Sequence, residues 1–133
     1  MVRGIGTDIL KMDHLVAEYL KPEDPFARKT YTEEELRQAA LRENPLYYFA
    51  TRFAGKEAVF KALNRSAENV SLNEIEILNW DSGQPYVNLH GKIEEDARKA
   101  GIEKVLISLS YDTEYAIAYA IAIEESKGEK CHE

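Results

Sequence analysis

The segment RFAGKEAVFKAL, residues 52–63, decides how the middle of the chain folds. At about 100° per residue, three aromatic side chains share one side of a helix and form its apolar stripe: Phe49, Phe53 and Phe60. Lys56 and Glu57 stand at the two edges of that stripe. Burying an unpartnered charge costs several kcal/mol, so each must be paired, bound to a metal or solvated in a cleft. The segment therefore predicts a helix built around a polar site.

The residues before this helix predict one strand and two further helices. VRGIGTDI predicts a short strand that ends near Asp8, and its glycines let another backbone or a ligand approach closely. Apolar residues at helical spacing predict a helix over 11–20, which the prolines of KPEDP end. A loop over 26–31 is expected next. Thr32 and Glu35 form the S/T-x-x-E capping box, which predicts a helix over 32–43, and Pro45 begins the helix that runs to residue 63.

The second half of the chain has the alternation typical of strands. VSLNEIEIL and YVNLH flank the turn DSGQP, in which Gly83 is free to adopt a positive φ, and together they predict a hairpin. KIEEDARKA predicts a short helix capped by Gly101. EKVLISLS and EYAIAYAIAIE close the fold as strands. One face of the last strand is all alanine, which lets a helix or a neighbouring subunit pack very close.

These elements predict one α+β domain over residues 1–124, with several helices packed on a mainly antiparallel sheet of about four or five strands. A polar tail is expected over 125–133. A length of 133 residues suits a single domain, and 44% apolar residues can supply its core.

Charge and composition exclude several classes of function. The net charge of -7 argues against binding to the phosphate backbone of nucleic acid, which needs clustered Lys and Arg. The single cysteine, Cys131, allows no internal disulfide and favours a reducing compartment. No apolar stretch approaches the roughly 18 residues of a membrane span, and the first residues lack the apolar core of a secretory signal. We therefore expect a soluble, cytoplasmic protein with no membrane partner.

The candidate catalytic residues are Asp8, Glu57 and Lys61. Two carboxylates from separate elements suit a hard cation such as Mg²⁺, whose remaining ligands are water and phosphate oxygens. Lys61 follows Glu57 by one helical turn, so both project from the same side of the helix. A metal-binding acid beside a lysine suits phosphoryl chemistry. Spacing alone, however, favours an ordinary surface ion pair between Glu57 and Lys61.

Four segments together resemble a known family. GIGTDI (4–9), RFAGKEAVFKAL, LNEIEILNWDSGQPYV (72–87) and SLSYDTEYAIAYAIAI (108–123) occur in the order and at the spacing found in holo-acyl-carrier-protein synthases. These are the short, single-domain members of the 4'-phosphopantetheinyl transferase superfamily. The resemblance runs from Val2 to about Ile123 and implies the transferase-like fold of that superfamily.

The resemblance implies an activity and roles for residues. Such an enzyme moves the phosphopantetheine arm of coenzyme A (CoA) onto a serine of an apo acyl carrier protein and releases adenosine 3',5'-bisphosphate. Asp8 and Glu57 match the ligands of Mg²⁺, for which Mn²⁺ is an alternative. Glu57 would help to remove the serine proton, directly or through water. Lys61 would stabilise or protonate the departing phosphate.

The family pattern also implies the binding partners of this chain. The residues that match the CoA-binding positions are Arg52, Lys56, Lys61, Ser110 and Tyr111. Lys11 and His14 are expected to meet the acidic carrier protein, although family members often carry more basic residues on the first predicted helix. The family assembles as a homotrimer with active sites at subunit interfaces, so a homotrimer is expected.

Three departures from the pattern keep a second function open. Tyr111 stands where the family commonly has histidine, and a tyrosine cannot carry positive charge. Asp112 would repel a phosphate unless it turns away. NRSAEN (64–69) contains no glycine, although the family's loop there is usually glycine-rich. The alternative is therefore a transferase-like binding or assembly module with weak or no catalysis.

Overall fold

A computed structural model describes residues 1–15, 21, 23–64 and 71–126 of the protein. It confirms the α+β class, with antiparallel pairing throughout the described strands. The strands are β1 (Val2–Lys11), β2 (Ile75–Asn79), β3 (Pro85–Leu89), β4 (Ile102–Tyr111) and β5 (Tyr115–Glu124). The helices are α1 (Pro25–Thr30), α2 (Glu33–Ala40), α3 (Pro45–Ala62) and α4 (Gly91–Lys99), with 3₁₀ turns at Met12–His14 and Leu72–Glu74.

The described strands form two sheets rather than one. The larger sheet has the order β1-β5-β4, and its register sets Gly6 opposite Ala120 and Asp8 opposite Ala118. The smaller sheet is the predicted hairpin of β2 and β3. Its turn contains Gly83 at φ 96°, a conformation that favours glycine. Gly101 likewise ends the segment after α4 at φ 79°, as expected from its place in the sequence.

Helix α3 lies across one face of the larger sheet. The alanine face of β5 is fully buried there: Ala116, Ala118, Ala120 and Ala122. The sequence predicted that a helix or a neighbouring subunit would pack very close to this alanine face. The structure shows that the chain's own helix α3 packs there. The opposite face of the sheet carries large apolar side chains that remain exposed in the single chain: Ile5, Ile9, Leu106 and Tyr119.

The bounds predicted for the first strand and the loop predicted over 26–31 are wrong. The strand does not end near Asp8, because Lys11 still pairs with Tyr115. The segment expected to be a loop over 26–31 contains α1. Asp24 caps this helix by accepting the Phe26 N–H at 2.8 Å, and Pro25 occupies its first turn. The second proline of KPEDP therefore begins a helix, because proline has no N–H to lose at that position.

The helix predicted over 11–20 is also corrected where the structure describes it. Lys11 belongs to β1, and Met12–His14 form a single 3₁₀ turn. The N–H of Met12 donates to the carbonyl of Glu114 at 2.8 Å, which prolongs the strand pairing instead of opening a helix. Leu15 is extended, at φ -96° and ψ 108°. Residues 16–20 lie outside the described part of the chain.

The capping box of α2 is confirmed, and the helix is shorter than predicted. Thr32 Oγ1 accepts the Glu35 N–H at 3.1 Å, while Glu35 Oε1 accepts the Thr32 N–H at 2.9 Å. The helix ends at Ala40 rather than at residue 43. Helix α3 begins at Pro45 as predicted and ends at Ala62. Among the described residues, no helix is both long enough and apolar enough to cross a bilayer.

A hydrogen bond of the Glu76 side chain connects the small hairpin to the start of α2. Thr32 Oγ1 donates to its Oε2 at 2.6 Å, and His90 Nε2 lies 3.1 Å from its Oε1. Burial alone would raise the pKa of Glu76, but hydrogen bonds from Thr32, His90 and Asn88 outweigh burial and lower it. The ionised carboxylate therefore stabilises the folded state.

Candidate active site

Asp8, Glu57 and Lys61 come together where β1 crosses the second half of α3. Lys61 Nζ donates to the Thr7 carbonyl at 2.8 Å and to Asp8 Oδ1 at 3.3 Å. Glu57 projects from the same side of α3, one turn before Lys61. The structure thus brings together the three residues that the sequence singled out. Lys61 pairs with Asp8, whereas spacing alone favoured a surface ion pair between Lys61 and Glu57.

Two glycines of β1 explain why these side chains can meet. A Cβ on Gly4 would lie 2.1 Å from the Ala62 carbonyl oxygen, and one on Gly6 would lie 2.0 Å from the Ala58 carbonyl oxygen. Both distances are far shorter than any real contact of a Cβ atom. The backbones of β1 and α3 therefore touch only because these positions lack side chains. The glycines fulfil the expectation of a close backbone approach.

Burial and two neighbouring charges act on the pKa of Glu57. Its half-buried position and the negative charge of Asp8 raise its pKa, while Lys61 acts in the opposite direction. We call Asp8 and Glu57 the acidic pair. Their mutual repulsion leaves a site that favours added positive charge.

The acidic pair fits a hard divalent cation by its chemistry. Carboxylate oxygens are the ligands that Mg²⁺ prefers, and the ion is commonly held by one or two of them. In the described ranges, no cluster of three or more His, Cys, Asp or Glu side chains could hold a metal by itself. An ion at the acidic pair would therefore draw its other ligands from water or substrate.

The structure places Lys56 elsewhere than expected. Its side chain is 0% exposed, and its ammonium pairs with Glu35 Oε1 at 2.7 Å and donates to the carbonyls of Ile75 and Leu72. Glu35 Oε2 in turn accepts the Ile77 N–H at 2.7 Å. Burial lowers the pKa of Lys56, although Glu35 counteracts this. Lys56 joins α2, α3 and the hairpin inside the core, so the expectation that it contacts a CoA phosphate is corrected.

A second polar site lies near the start of α3. We call it the arginine cavity: a space of about 280 Å³ lined by Arg42, Asn44, Tyr47, Tyr48, Thr51, Arg52 and Tyr111. Two of its residues, Arg52 and Tyr111, were expected to bind CoA. Arg52 is oriented by hydrogen bonds to the Asn79 side chain and to the Ile77 carbonyl.

Arg42 and Tyr48 are among the residues of this cavity to which the sequence analysis gave no site role. The guanidinium groups of Arg42 and Arg52 lie 4.9 and 3.9 Å from the centre of the Tyr48 ring. Burial raises the pKa of Tyr48 to about 12, so its hydroxyl stays protonated at neutral pH. Tyr111 stacks on Tyr47 with ring centres 4.7 Å apart. No motif marks Arg42, because only folding brings it beside Arg52.

The remaining expected contact residues lie at the surface. Ser110 is exposed near the end of β4 and pairs with Ile117, but it does not line the arginine cavity. Lys11 and His14 are exposed on either side of Asp13, with their nitrogens 3.8 and 3.9 Å from its carboxylate.

Two of the departures from the family pattern have structural explanations. The Asp112 carboxylate accepts the N–H groups of Tyr115 and Glu114, each at 2.8 Å, and these bonds lower its pKa. The Asp112 carboxylate is therefore directed towards the backbone of its own turn. This orientation meets the condition, stated above, under which Asp112 does not repel a phosphate. Asn64 follows α3 at φ 55°, a conformation usually given to glycine. Residues 65–69 of the glycine-free loop lie outside the described part of the chain.

Comparison with known proteins shows the family of this chain. The model of the 4'-phosphopantetheinyl transferase superfamily matches residues 4–120. A holo-acyl-carrier-protein synthase of Natranaerobius thermophilus is 37% identical over 121 residues, covering 91% of this chain and 97% of that protein. The chain belongs to the holo-acyl-carrier-protein synthase family. The resemblance seen in the sequence is thereby confirmed.

Solved structures of holo-acyl-carrier-protein synthases share the fold. The enzyme of Neisseria meningitidis superimposes with a TM-score of 0.84 at 30% identity, covering 93% of this chain and 100% of that one. The enzyme of Bacillus anthracis, solved in complex with CoA (3',5'-ADP), gives a TM-score of 0.75 at 29% identity over 95% of this chain and 99% of that one. The α+β architecture is therefore that of the family.

Proposed function

We propose that this protein transfers the 4'-phosphopantetheine group of CoA to a serine of an apo acyl carrier protein. Adenosine 3',5'-bisphosphate is the second product. The observation that carries the proposal is the meeting of Asp8, Glu57 and Lys61 at the contact of β1 and α3. Two partly buried acids beside an exposed lysine match the charges that phosphoryl transfer develops. Membership of the synthase family supplies the substrate class.

The reaction exchanges one phosphorus–oxygen bond for another. The serine oxygen of the carrier forms a bond to the phosphorus that bears the pantetheine arm. The bond from that phosphorus to the bridging oxygen breaks, and its electron pair leaves with adenosine 3',5'-bisphosphate. Glu57 accepts the serine proton, directly or through water. Lys61 stabilises or protonates the departing phosphate.

Mg²⁺ is the metal that the proposal assigns to the acidic pair. When bound, the ion neutralises charge on the CoA pyrophosphate. Asp8 and Glu57 would hold it, with Mn²⁺ as an alternative of similar preference for oxygen. The two residues come from different elements, so the close contact of β1 with α3 sets the width of the site.

The arginine cavity is the proposed site for another phosphate of CoA. Arg52, Arg42 and the Tyr48 hydroxyl offer positive charge and a donor, with Tyr111 at the rim and Ser110 nearby on β4. Arg52 and Lys61 are nine residues apart on α3, which is about 13 Å along the helix axis. The 5'-pyrophosphate and the 3'-phosphate of CoA are separated by a single ribose, a much shorter span. This separation favours a site in which one chain contributes the acidic pair and another contributes the arginine cavity.

The exposed face of the larger sheet supports the expected homotrimer. Ile5 is 72% exposed and Tyr119 is 56% exposed, and both lie on the face that α3 leaves uncovered. Several large exposed apolar side chains on one sheet face, as found here, are typical of an interface between protein chains. The proposed assembly is one in which the arginine cavity of one chain faces the acidic pair of another.

The carrier protein and the cellular location complete the proposal. Lys11 and His14 are exposed next to the end of β1, close in sequence to Asp8, and their side chains could meet acidic groups of a carrier. The protein is proposed to act in the cytoplasm, where CoA and carrier proteins occur together.

The decisive experiment measures the intact mass of an apo acyl carrier protein after incubation with the protein, CoA and Mg²⁺. We expect a gain of one phosphopantetheine group that disappears with EDTA. No gain with several carriers, from a folded protein, would favour the alternative of a binding or assembly module. A gain that survives complete removal of metal would refute the role given to the acidic pair.

Glu57→Gln provides the matched variant for this assay. An amide is a poor ligand for Mg²⁺ and no base, so turnover should fall to background. The variant should fold at least as stably as the parent, because the raised pKa shows that the ionised carboxylate is unfavourable in the folded state. Activity near that of the parent would refute the assignment of Glu57.

Sedimentation equilibrium tests the trimer. The parent protein should have the mass of three chains, and Ile5→Glu should dissociate it because a charge would be buried in the interface. The dissociated variant should also lose transferase activity if two chains build each site. A monomeric parent with full activity would contradict the proposed assembly.

A further inference from the structure

Lys61 places its ammonium on the Asp8 side of the acidic pair. Its ammonium is shared between Asp8 Oδ1, at 3.3 Å, and the carbonyl of Thr7, at 2.8 Å. It also opposes the rise in the pKa of Glu57, so its charge is felt by both carboxylates. In the folded chain, Lys61 is thus the cation that relieves their mutual repulsion.

The contact between Lys61 and Asp8 competes with the binding of a second cation to Asp8. The Asp8 oxygen that accepts from Lys61 has a lone pair engaged with the ammonium. A divalent ion held by the same carboxylate would also stand within a few ångströms of a positive charge, and like charges at that distance repel strongly. An ion that binds Asp8 would therefore compete with Lys61 for the same carboxylate and be repelled by the ammonium.

We propose that Lys61 is the resident counter-ion of the acidic pair and leaves Asp8 when a divalent cation binds. This inference rests on the proposed function, since it takes the acidic pair to be the metal site. It gives Lys61 two successive roles. The side chain first holds the acidic pair together, and once displaced it is free to reach the substrate phosphate.

The surroundings of Lys61 permit this movement. Its side chain is 56% exposed, whereas that of Asp8 is only 20% exposed, so the lysine can swing into solvent while the aspartate stays in place. A lysine side chain has a flexible four-carbon stem and a point charge that needs no fixed geometry. Lys56 on the same helix has no such freedom, because it is completely buried in its pair with Glu35.

The inference predicts that removing the ammonium tightens metal binding. Lys61→Met keeps the length and the apolar stem but eliminates both the competition for Asp8 and the repulsion. A unit charge near a divalent ion in water is expected to alter its affinity by about tenfold. Lys61→Met should therefore bind a divalent cation about tenfold more tightly than the parent, although it should be a poorer enzyme.

The test is a titration of the metal-free, full-length protein with Mn²⁺, in which electron paramagnetic resonance counts free Mn²⁺. No CoA and no carrier protein are present, so turnover does not enter the result. Lys99→Met is the matched control. It removes the same charge from another exposed lysine–carboxylate pair, with Glu95 at 3.4 Å on α4. Asp8→Asn marks the location of the site.

The expected result is tighter binding in Lys61→Met, unchanged binding in Lys99→Met and lost binding in Asp8→Asn. Equal tightening in both lysine variants would show an effect of net charge and overturn the inference. Unchanged or weaker binding in Lys61→Met, with Asp8→Asn still defective, would overturn it and leave the proposed metal site intact. Binding that is absent from the parent and from Lys61→Met, or unaffected by Asp8→Asn, would overturn the metal site together with the inference.

Discussion

Replacing Gly6 by alanine should damage both the stability and the activity of the protein. The new Cβ would lie 2.0 Å from the Ala58 carbonyl oxygen and 2.8 Å from the Ala62 nitrogen. Both are backbone atoms of α3, so no side-chain rotation can relieve the clash. The helix must move away from β1 by about 1 Å, and overpacking of this kind typically costs about 1–3 kcal/mol.

The same movement should lower the rate of transfer. Glu57 and Lys61 travel with α3, whereas Asp8 travels with β1, so opening the contact separates the acidic pair. A misplacement of about 1 Å can cost about 10²-fold in rate. Urea unfolding measures the first effect, and intact-mass kinetics with an apo carrier protein measure the second, under conditions in which the variant remains folded.

Gly83→Ala is the matched control for this variant. Gly83 has φ 96°, and a Cβ added there would meet no atom within 4 Å, so alanine strains the backbone without touching α3. It should cost about 1–2 kcal/mol of stability and leave the rate of transfer unchanged. The reasoning is refuted if Gly6→Ala retains the parent's rate, or if both variants lose rate in proportion to their loss of stability.

Three further variants test the buried Lys56–Glu35 pair, the residue that follows α3 and the Glu76 carboxylate of the hairpin. Lys56→Met should cost about 3–5 kcal/mol in urea unfolding, because it leaves the Glu35 carboxylate buried without its partner; a loss below about 1 kcal/mol would contradict the buried pair. Asn64→Gly should raise the free energy of unfolding by about 0.5–1 kcal/mol, since glycine accepts φ 55° without strain; destabilisation would show that the asparagine side chain has another role. Glu76 has a lowered pKa in the folded state, so its ionised form stabilises the protein above the unfolded value of about 4.3, and this contribution is lost as the pH falls through the folded pKa. Glu76→Gln should therefore be less stable than the parent at pH 7, and the stabilities of the two proteins in urea unfolding should approach each other as the pH falls through the folded pKa of Glu76; a constant difference across that range would refute the ionic contribution.

Local patterns predict the elements whose signals lie within a few residues. The Thr32–Glu35 capping box, Pro45 at the start of α3 and the Gly83 turn act through neighbouring backbone groups, and all three are confirmed. The prediction for the segment 26–31 is wrong because a proline can end one helix or begin the next. The Asp24 cap decides that choice.

The roles of charged residues are harder to predict than the elements. Lys56 and Glu57 are adjacent on α3 and look equivalent at the edges of its apolar stripe. Packing of α2 against α3 surrounds Lys56 with Glu35 and backbone carbonyls. Packing of β1 against α3 places Glu57 beside Asp8. Arg42 and Arg52 face the same cavity only because the chain before α3 turns back towards it.

The sequence by itself determined the family, the α+β class and the identity of the residues that meet at the site. It did so because the G-I-G-x-D and K-E-A-x-x-K segments encode a close strand–helix contact and the charges beside it. Tertiary structure alone decided which charges are buried pairs and which remain free to act. Burial and partnership depend on elements that are distant in the chain, and the free energy of a charge is set by the groups that surround it in space.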